Sequence, residues 1–343
     1  MKTLDFYQVG CPKCHGQINS ITPLSGQATC LFCGTIYQIT ANVIEKAEMP
    51  GQIVPFATSA DDFEQSARKM LLDEEYAPAN ISEIISFKNV KGVYLPVYLY
   101  EGQYECAWSC RIKQPVDADA TKNRKESYRP QNGVSKGEYA IVCIACKGAE
   151  ADKELAEYVR ALDYRGDGVQ PFHQDDLNNN FFLTRNLDVQ KTWTQWGEDT
   201  LENLVREKTL TQLQSNDIKD FKYNITSELF HEGKFILFPV WMINYQYDDE
   251  QHHIIMDGTG RNGVKGTTLI DRALKAEAEK PFKILKYIAV VAIVIPLFML
   301  FVGWNKPAIV VLIATGLVFF GYRFYAIWHK NSVIRKARKK FNV

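Results

Sequence analysis

The sequence lacks a net charge, because its 40 lysine and arginine residues balance its 40 aspartate and glutamate residues. This balance hides an asymmetry between the two ends of the chain. Nine basic residues and no acidic ones lie from residue 284 onward, which leaves residues 1–283 with a net charge of −9. An acidic body of this kind is repelled by phosphate backbones rather than steered towards them. The charge distribution therefore argues against nucleic acid as a partner.

A phosphate-binding loop of the form G-x-x-x-x-G-K-[ST] is also missing. The nearest stretch, residues 258–267, is rich in glycine, but its Lys265 precedes a glycine instead of following one. Such a stretch is more typical of turns between paired strands. No Ser/His/Asp set can be recognised in the sequence either. We therefore expect a protein that does not hydrolyse ATP and is not an enzyme.

Low-complexity tracts are absent, and residues 1–10 contain no apolar run behind a basic start. We therefore expect no secretory signal at this end and a cytosolic amino-terminal region. The composition is that of a folded protein, with 46% hydrophobic and 23% charged residues. A chain of 343 residues is long enough to form two or three domains with cores of their own.

Two C-x2-C pairs stand near the amino terminus, with fifteen residues between them. Their members are Cys11, Cys14, Cys30 and Cys33. This spacing is typical of a four-thiolate zinc site, and Gly34 supplies the permissive backbone that such a turn needs. Four protein ligands leave no position open for water or substrate, so a Zn²⁺ ion here is expected to be structural. The alternative is four unrelated buried thiols.

A third C-x2-C pair, Cys143 and Cys146, falls on a predicted strand, where residues three apart point to opposite faces. Cys106 and Cys110 share a face of another strand, but four strand steps separate them by about 13 Å, beyond disulfide reach. We interpret all four as buried thiols in a reducing cytosol. Two alternatives remain: a second zinc site joining the two strands, or a thiol oxidoreductase that uses Cys143 and Cys146.

His252 and His253, close to Asp257, suggest a metal site or a general base. Adjacent residues on a strand face opposite ways, so at most one of the two histidines could join a given site. We interpret them as ordinary solvated strand positions.

Two apolar runs, residues 284–304 and 307–328, each match the roughly 20 residues that cross a bilayer. The two residues between them predict a helical hairpin that crosses the membrane and returns. Basic residues flank its outer ends and its turn offers only Lys306, which predicts a multi-pass protein of the inner (cytoplasmic) membrane with both termini cytoplasmic. The alternative is a helix pair buried in a soluble core. The basic tail, residues 335–340, either binds anionic lipid headgroups or only sets the topology.

The segment between the cysteines and the membrane alternates helical and strand patterns. A helix is predicted at residues 59–72, a strand hairpin from residues 92–100 and 104–112, a loop at 111–137 and a strand at 139–146. Helices are predicted around Leu155 to Leu162 and around Leu201 to Val205, followed by a strand at 235–247.

Residues 95–100 resemble residues 238–243, which predicts an internal duplication of about residues 52–165 and 190–270. The alternative is coincidence between two aromatic-rich strands. Pro96 and Pro239 predict that these strands lie at sheet edges or bulges.

These patterns predict an α+β fold in four parts. The parts are a zinc ribbon (residues 1–45), a two-unit cytoplasmic domain of sheet and helices (46–280), a transmembrane helical hairpin (281–330) and a basic cytoplasmic tail (331–343).

Several short motifs behind the ribbon resemble those of a known family. They are Val54-Pro55-Phe56, Tyr76-Ala77-Pro78, Lys91-Gly92-Val93-Tyr94-Leu95-Pro96-Val97, Leu237-Phe238-Pro239-Val240-Trp241 and Asp257-Gly258-Thr259-Gly260. With them the chain resembles bacterial membrane-anchored zinc-ribbon proteins, which are labelled as carrying a transcription-factor-IIB-type zinc ribbon or as primosomal-protein-N′-like. The resemblance covers nearly the whole chain, and the four ribbon cysteines are the functional positions that it carries over.

The resemblance implies a cytoplasmic-facing membrane protein found near flotillin-like and phage-shock-protein-A-like proteins, without an established active site. We therefore expect a non-enzymatic adaptor in membrane organisation or envelope stress. Two alternatives are a membrane-tethered nucleic-acid-binding ribbon protein and a thiol oxidoreductase. The sequence leaves open whether the middle domain binds a small ligand or lipid.

Overall fold

The computed structural model describes residues 2–340 apart from 79, 82–84, 86–89, 91, 114–127, 163, 165–167, 178–179, 214–216, 248–249 and 303–304. The fold is mixed α+β, with one large sheet and two long apolar helices at the carboxy end. The chain divides into two compact units. The first comprises residues 1–64, 88–244 and 251–266, and the second comprises residues 65–87, 245–250 and 267–343.

Fourteen strands are assigned within the described residues. They are β1 (Lys2–Gly10), β2 (Gln17–Ser20), β3 (Gln27–Thr29), β4 (Ile36–Gln38), β5 (Val43–Met49), β6 (Gln52–Ile53), β7 (Gly92–Lys113), β8 (Tyr128–Ile144), β9 (Gln170–Pro171), β10 (Phe181–Phe182), β11 (Ile218–Leu229), β12 (Lys234–Tyr247), β13 (Glu250–Asp257) and β14 (Val264–Gly266).

Seven α-helices are assigned in the same residues. They are α1 (Ala60–Asp73), α2 (Lys147–Glu150), α3 (Lys153–Arg160), α4 (Val189–Thr192), α5 (Glu198–Gln212), α6 (Arg272–Phe301) and α7 (Asn305–Lys340). A π-helical turn, Trp193–Gly197, joins α4 to α5, and a short 3₁₀ helix covers Gln174–Leu177.

The large sheet runs in the order β14-β13-β12-β7-β10-β2-β1-β5, while β3 and β4 form a separate hairpin. The first two strands of the chain therefore belong to the central sheet, because β2 pairs with β10 and β10 pairs with β7. The predicted ribbon boundary at residue 45 falls inside β5, which pairs with β1. The ribbon and the sheet lie in one compact unit.

The prediction of a hairpin from residues 92–100 and 104–112 is wrong, because β7 runs unbroken from Gly92 to Lys113. Gly102, expected in the turn, is paired on both sides, with Tyr139 of β8 and with Leu229 of β11. A Cβ atom at Gly102 would lie 2.2 Å from the Glu228 carbonyl oxygen. The glycine therefore permits a close approach of two strands, not a change of direction.

Gly102→Ala is expected to destabilise the first unit by about 2–3 kcal/mol, since the new methyl group would push the backbone of β7 away from that of β11. Chemical denaturation of the purified protein measures the change. Gly148→Ala is the matched control: its Cβ would meet nothing within 4 Å, and in α2 alanine is expected to be neutral or stabilising by about 0.5–1 kcal/mol. Equal stabilities of the two variants would contradict this account of Gly102.

The predicted loop at residues 111–137 is also wrong in part. Residues 114–127 lie outside the described residues, but β8 begins at Tyr128 and pairs with β7 out to Lys113. The strand predicted at 139–146 is the end of β8, which stops at Ile144. Polar residues with turn propensity therefore form a strand from residue 128 onward, because pairing with β7 outweighs local preference.

Pro96 and Pro239 do not lie on edge strands, contrary to the prediction, because β7 and β12 pair with each other in the middle of the sheet. The Pro96 carbonyl accepts from the Ala145 N–H (2.7 Å) on the side away from β12. On that side the neighbour of β7 changes from β10, paired at Tyr94, to β8, paired from Val97. Pro96 thus lies where one neighbouring strand ends and the next begins, so no backbone N–H is needed there for strand pairing.

The two segments that resemble each other in sequence pair antiparallel, with Leu95 opposite Phe238. Equivalent hydrogen bonds surround this pair. Val54 N–H donates to the Leu237 carbonyl (2.9 Å), as Leu183 N–H does to that of Tyr94 (3.0 Å). A local two-fold relation therefore links the half that contains β6, α1 and β7 with the half that contains β10, α5 and β12.

The same relation holds where each half enters its helix. The Gly258 carbonyl accepts from the N–H groups of residues 57–58, and the Ala145 carbonyl accepts from those of residues 186–187. These patterns start at β6 and β10, so the second half begins before the predicted residue 190. A common origin of the two halves stays a prediction.

The predicted helices are confirmed with small changes of their bounds. Ser59 caps α1, since its hydroxyl accepts from Asp62 N–H (3.2 Å) and its own N–H donates to the Asp62 carboxylate (2.8 Å). Asp188 caps α4 in the same way, through Lys191 N–H. In α3 and α5 the predicted apolar positions Leu155 and Leu201 are buried.

The sheet is covered on both faces. Odd-numbered residues at the start of β7, such as Val93 and Leu95, pack in one cluster with Leu155 and Val159 of α3. Even-numbered residues of β7, such as Tyr98 and Tyr100, face the other way. They pack in a second cluster with Cys143 of β8 and with Trp193, Leu201 and Val205 of the π-helical turn and α5. This strand alternation explains why β7 is apolar on every residue over its first half.

The second unit is built on α6 and α7, which pack along each other. Asp271 caps α6 through Leu274 N–H (2.8 Å), and its own N–H donates to the Tyr76 carbonyl (2.9 Å). Lys330 of α7 pairs with Glu75 at 2.6 Å. Both long helices are thereby joined to the segment that follows α1.

Arg338, near the end of α7, donates to the carbonyls of Leu72 and Glu74 at 3.2 and 3.3 Å. A cation at the C-terminal end of α1 is favourable, because the free carbonyls there carry partial negative charge. Arg335, Lys336 and Lys339 remain exposed. Binding of anionic lipid by the basic tail, residues 335–340, stays a prediction, and these three residues are exposed cations that the structure describes there.

Candidate metal centre

The four ribbon cysteines sit on two turns with the same backbone pattern. In the first, Cys11 N–H donates to the Gly16 carbonyl and His15 N–H donates to the Cys11 carbonyl, both at 2.9 Å. In the second, Cys30 and Gly34 repeat these bonds. His15 has a φ of 60° and Gly34 one of 62°, so each turn closes through a left-handed residue. The predicted need for Gly34 is confirmed, and His15 meets the same requirement without being a glycine.

The four Sγ atoms converge and all lie within 4.8 Å of one another. The Cys11 and Cys33 sulfurs are 3.6 Å apart, and those of Cys14 and Cys30 are 3.5 Å apart. These separations suit four thiolates around one ion at about 2.3 Å from each sulfur. The four residues are therefore close enough to hold a metal ion, as the sequence predicted.

Backbone N–H groups support the sulfurs from outside. Gly16 N–H points at Cys14 Sγ and Phe32 N–H points at Cys30 Sγ, each at 3.4 Å. Such donors stabilise thiolates and orient metal ligands. Burial disfavours ionisation of Cys33, but contacts with Thr35 and the other thiols outweigh it and lower the pKa of Cys33 to about 6. Burial raises the pKa of the Cys30 thiol instead.

The second turn is also part of the main core, which the sequence did not predict. Leu31 and Phe32, between Cys30 and Cys33, pack against the cluster that contains Val93 and Leu95. Asn244 of β12 donates from its side-chain amide to the Leu31 carbonyl. The metal site therefore holds in place two side chains that cover the sheet beside α3.

Sequence spacing contained no signal for these contacts, because they join residues about sixty positions apart (Leu31 and Val93) to more than two hundred positions apart (Leu31 and Asn244). The one local hint was the pair of large apolar residues inside a turn, Leu31 and Phe32, where polar residues are more usual.

The structure does not bring His252, His253 and Asp257 together as a metal site. Among the described residues, the four ribbon cysteines are the group close enough to share an ion. The prediction that both histidines are solvated is wrong for His252, which is buried. His253 Nδ1 lies 2.5 Å from Asn244 Oδ1. Asp257 is fully buried and accepts instead from the backbone N–H groups of Thr259 (2.7 Å) and Asn262 (2.8 Å). It organises the loop that follows β13.

The other four cysteines are buried and form no disulfide. Cys143 and Cys146 pack in clusters on opposite faces of the sheet, which confirms that they cannot chelate one ion together. Burial raises the pKa of Cys143 to about 12 and also raises the pKa of Cys146. Thiols of this kind are mostly protonated at neutral pH and are poor nucleophiles.

In the native protein at pH 7, alkylation of Cys143 is expected to be slower than that of a free thiol by about two to three orders of magnitude. The reason is that the thiolate fraction falls about tenfold for each unit by which the pKa is raised. The rate should rise with pH, because the raised pKa places ionisation above the neutral range. Mass spectrometry after timed iodoacetamide treatment measures the rate, and the unfolded chain is the control. Rapid modification of Cys143 or Cys146 in the native protein would support a redox role instead.

The two long helices are the second feature of functional interest. Residues 272–301 and 309–339 are long and apolar enough to cross a membrane by length and composition. Large apolar side chains on them are exposed, with Phe301 at 90% and Phe324 at 77%. The predicted run 307–328 lies inside α7, and the run 284–304 lies in α6 except for its last residues, of which 303 and 304 are outside the described residues. These helices could anchor the chain in a membrane.

Comparison with known proteins adds one distant relative. No protein-family model and no solved structure matches the chain. The chain is 22% identical over 232 residues to the uncharacterized protein YdjG of Bacillus subtilis (strain 168). The match covers 62% of this chain and 62% of that protein, so the chain spans less than two thirds of the relative's length. This similarity carries no function across.

Proposed function

We propose that the protein is a non-enzymatic adaptor that is anchored in a membrane and recruits cytoplasmic proteins to it. The observation that supports the proposal is the cluster of four thiols, which all lie within 4.8 Å of one another. A metal ion bound by all four would have no position open for a substrate. A metal of this kind organises a surface instead of catalysing a reaction.

Zinc is the proposed metal. Tetrahedral sites with four thiolates are typical of Zn²⁺, which has no redox chemistry under cellular conditions. Its proposed role is to hold the two turns of the ribbon together and, through Leu31 and Phe32, to complete the core of the sheet.

The proposed location is the inner face of the cytoplasmic membrane, with both termini on the cytoplasmic side. Basic residues are concentrated at the outer ends of the two long helices, and Lys306 is alone in the turn between them. This asymmetry supports a hairpin whose turn faces outward.

The proposed partners are flotillin-like and phage-shock-protein-A-like proteins, by the family resemblance of the sequence. A role in membrane organisation or envelope stress follows from those partners. Burial of Cys143 and Cys146 weighs against an oxidoreductase, and the net charge of −9 over residues 1–283 weighs against a nucleic-acid reader.

Crosslinking in living cells, followed by identification of the attached proteins, tests this proposal. We expect a flotillin-like or phage-shock-protein-A-like protein among the products of the full chain. Cys11→Ser should reduce the yield of that product, while Cys110→Ser, at a buried cysteine outside the metal centre, should not. Cellular levels of each variant are measured in parallel. If only ribosomal or other abundant proteins were recovered, the proposed adaptor function would be wrong.

A further inference from the structure

A groove with a volume of about 1230 Å³ lies within the first unit, away from the metal centre. It is lined by residues of β7, β8, α3, the π-helical turn and α5, and by the segment between β11 and β12. Pockets for small molecules usually measure about 300–1,000 Å³. The size of this groove fits a peptide segment better than a metabolite.

The lining combines apolar and aromatic side chains. Leu162 and Leu204 contribute aliphatic surface, Trp196 is half-buried and Phe230 is 54% exposed. Exposed aromatic side chains of this kind are enriched in binding surfaces. They also offer ring faces to a cation, and tryptophan is the best of them.

Trp196 belongs to the π-helical turn, Trp193–Gly197. π-Helical turns are rare in proteins, and those that occur are often found at functional sites. The helix α1, which is entered through the equivalent hydrogen bonds at residues 57–58, is a regular α-helix from Ala60 to Asp73. Of these two helical segments, the distorted one lines the groove.

The charges of the groove are unbalanced. Glu101 is already paired with Lys234 (2.6 Å) and His231 (3.1 Å), and Arg160 is paired with Glu150. Three further lining carboxylates form no ion pair with any residue that the structure describes. They are Glu138, Asp199 and Glu207.

Asp199 and Glu207 lie on one line along α5, because they are separated by two steps of four residues. Against these three carboxylates the lining offers Lys208 as a cation without an ion pair among the described residues. The groove thus combines a surplus of negative charge with aromatic and aliphatic surface. Anionic lipid headgroups and phosphate backbones would be repelled by such a lining.

We propose that this groove docks a basic segment of a cytoplasmic partner protein. Lysine or arginine side chains of that segment lie against Glu138, Asp199 and Glu207 and over the ring of Trp196. Its apolar portions pack on Leu162 and Leu204. The inference rests on the proposed adaptor function and specifies the chemistry of the partner.

Binding of a labelled peptide to the full chain, purified in an uncharged detergent, tests the proposal. The probe is a fluorescent peptide of alternating lysine and alanine, and its counterpart carries glutamate in place of every lysine. Fluorescence anisotropy is measured at low and at physiological salt. We expect the lysine peptide to bind with an affinity that falls as salt rises, and the glutamate peptide not to bind.

The double variant Asp199→Lys and Glu207→Lys should weaken binding about tenfold, since each lost contact contributes a few-fold factor. Trp196→Ala should weaken it as well. Glu154→Lys is the matched control, because Glu154 is exposed on α3 and does not line the groove. It should leave the affinity within about twofold, and thermal melting confirms that each variant is folded.

Equal weakening by Glu154→Lys and by the double variant would overturn the proposal, since binding would then depend on overall charge. Absence of binding by the lysine peptide would overturn it too, while the crosslinking of partners would still decide the adaptor function separately. If a peptide of residues 331–343 of this chain bound and the lysine peptide did not, the occupant would be a second copy of the chain. That outcome would also overturn docking of a partner protein.

Discussion

Removal of the metal, or the substitution Cys30→Ser, is expected to destabilise the whole first unit and not the ribbon alone. The second turn carries Leu31 and Phe32, which pack against the core beside α3, and β2 pairs with the central sheet through β10. Exposure of these two partly buried side chains costs about 1–2 kcal/mol each, and the ion itself contributes several kcal/mol more. Because domains are stable by only about 5–15 kcal/mol, the loss should be large.

Thermal unfolding followed by circular dichroism measures this effect on the full chain. The melting temperature should fall by about 10 °C or more, and elemental analysis should find one zinc per chain in the parent and less in the variant. Cys110→Ser provides the control, since it removes a buried thiol on β7 that lies outside the metal centre. A variant that lost its metal but kept the melting temperature of the parent would show that the ribbon folds independently of the sheet.

Asp257→Ala is expected to lower the free energy of unfolding by about 3–5 kcal/mol. This is the second large effect. The Asp257 carboxylate is fully buried and accepts from the N–H groups of Thr259 and Asn262, so its removal takes the acceptor away from two partly buried donors. Its own N–H donates to the Tyr158 hydroxyl (2.7 Å), which in turn donates to the Gly263 carbonyl (2.9 Å). This network ties the loop after β13 to α3.

Chemical denaturation compares Asp257→Ala with two other variants. Asp257→Asn retains one oxygen acceptor and should cost less than the alanine variant. Asp175→Ala removes an exposed carboxylate and should change the free energy of unfolding by less than about 0.5 kcal/mol. If Asp257→Ala unfolded at the same denaturant concentration as the parent, the loop would not depend on the buried carboxylate.

Local sequence patterns predicted the helices and the clustering of the four ribbon cysteines well. The capping sequence at Ser59 and the apolar periodicity of α1, α3 and α5 depend on residues three or four positions apart, which lie side by side in any helix. The C-x2-C pairs are equally local, because each turn brings its own two sulfurs together. The bounds of these elements could therefore be predicted to within a few residues.

Strand pairing could not be predicted in the same way. Gly102 and its neighbours have the composition of a turn, yet β8 and β11 hold them extended from both sides. Pro96 has the character of an edge residue, yet it lies between two successive neighbours in the middle of the sheet. In both places the deciding partners lie tens to more than a hundred positions away along the chain, so local propensity had no access to them.

By itself the sequence determined that four thiols converge on one centre, that two apolar segments at the carboxy end are long enough to cross a bilayer, and that helices and strands alternate between them. Only the tertiary structure decided that the second cysteine turn covers the main core and that α3, α5 and the sheet enclose an acidic groove. The physical reason is the range of the interactions: metal turns and helices are stabilised by neighbours in the chain, whereas sheet pairing, core packing and grooves depend on residues that only folding brings together.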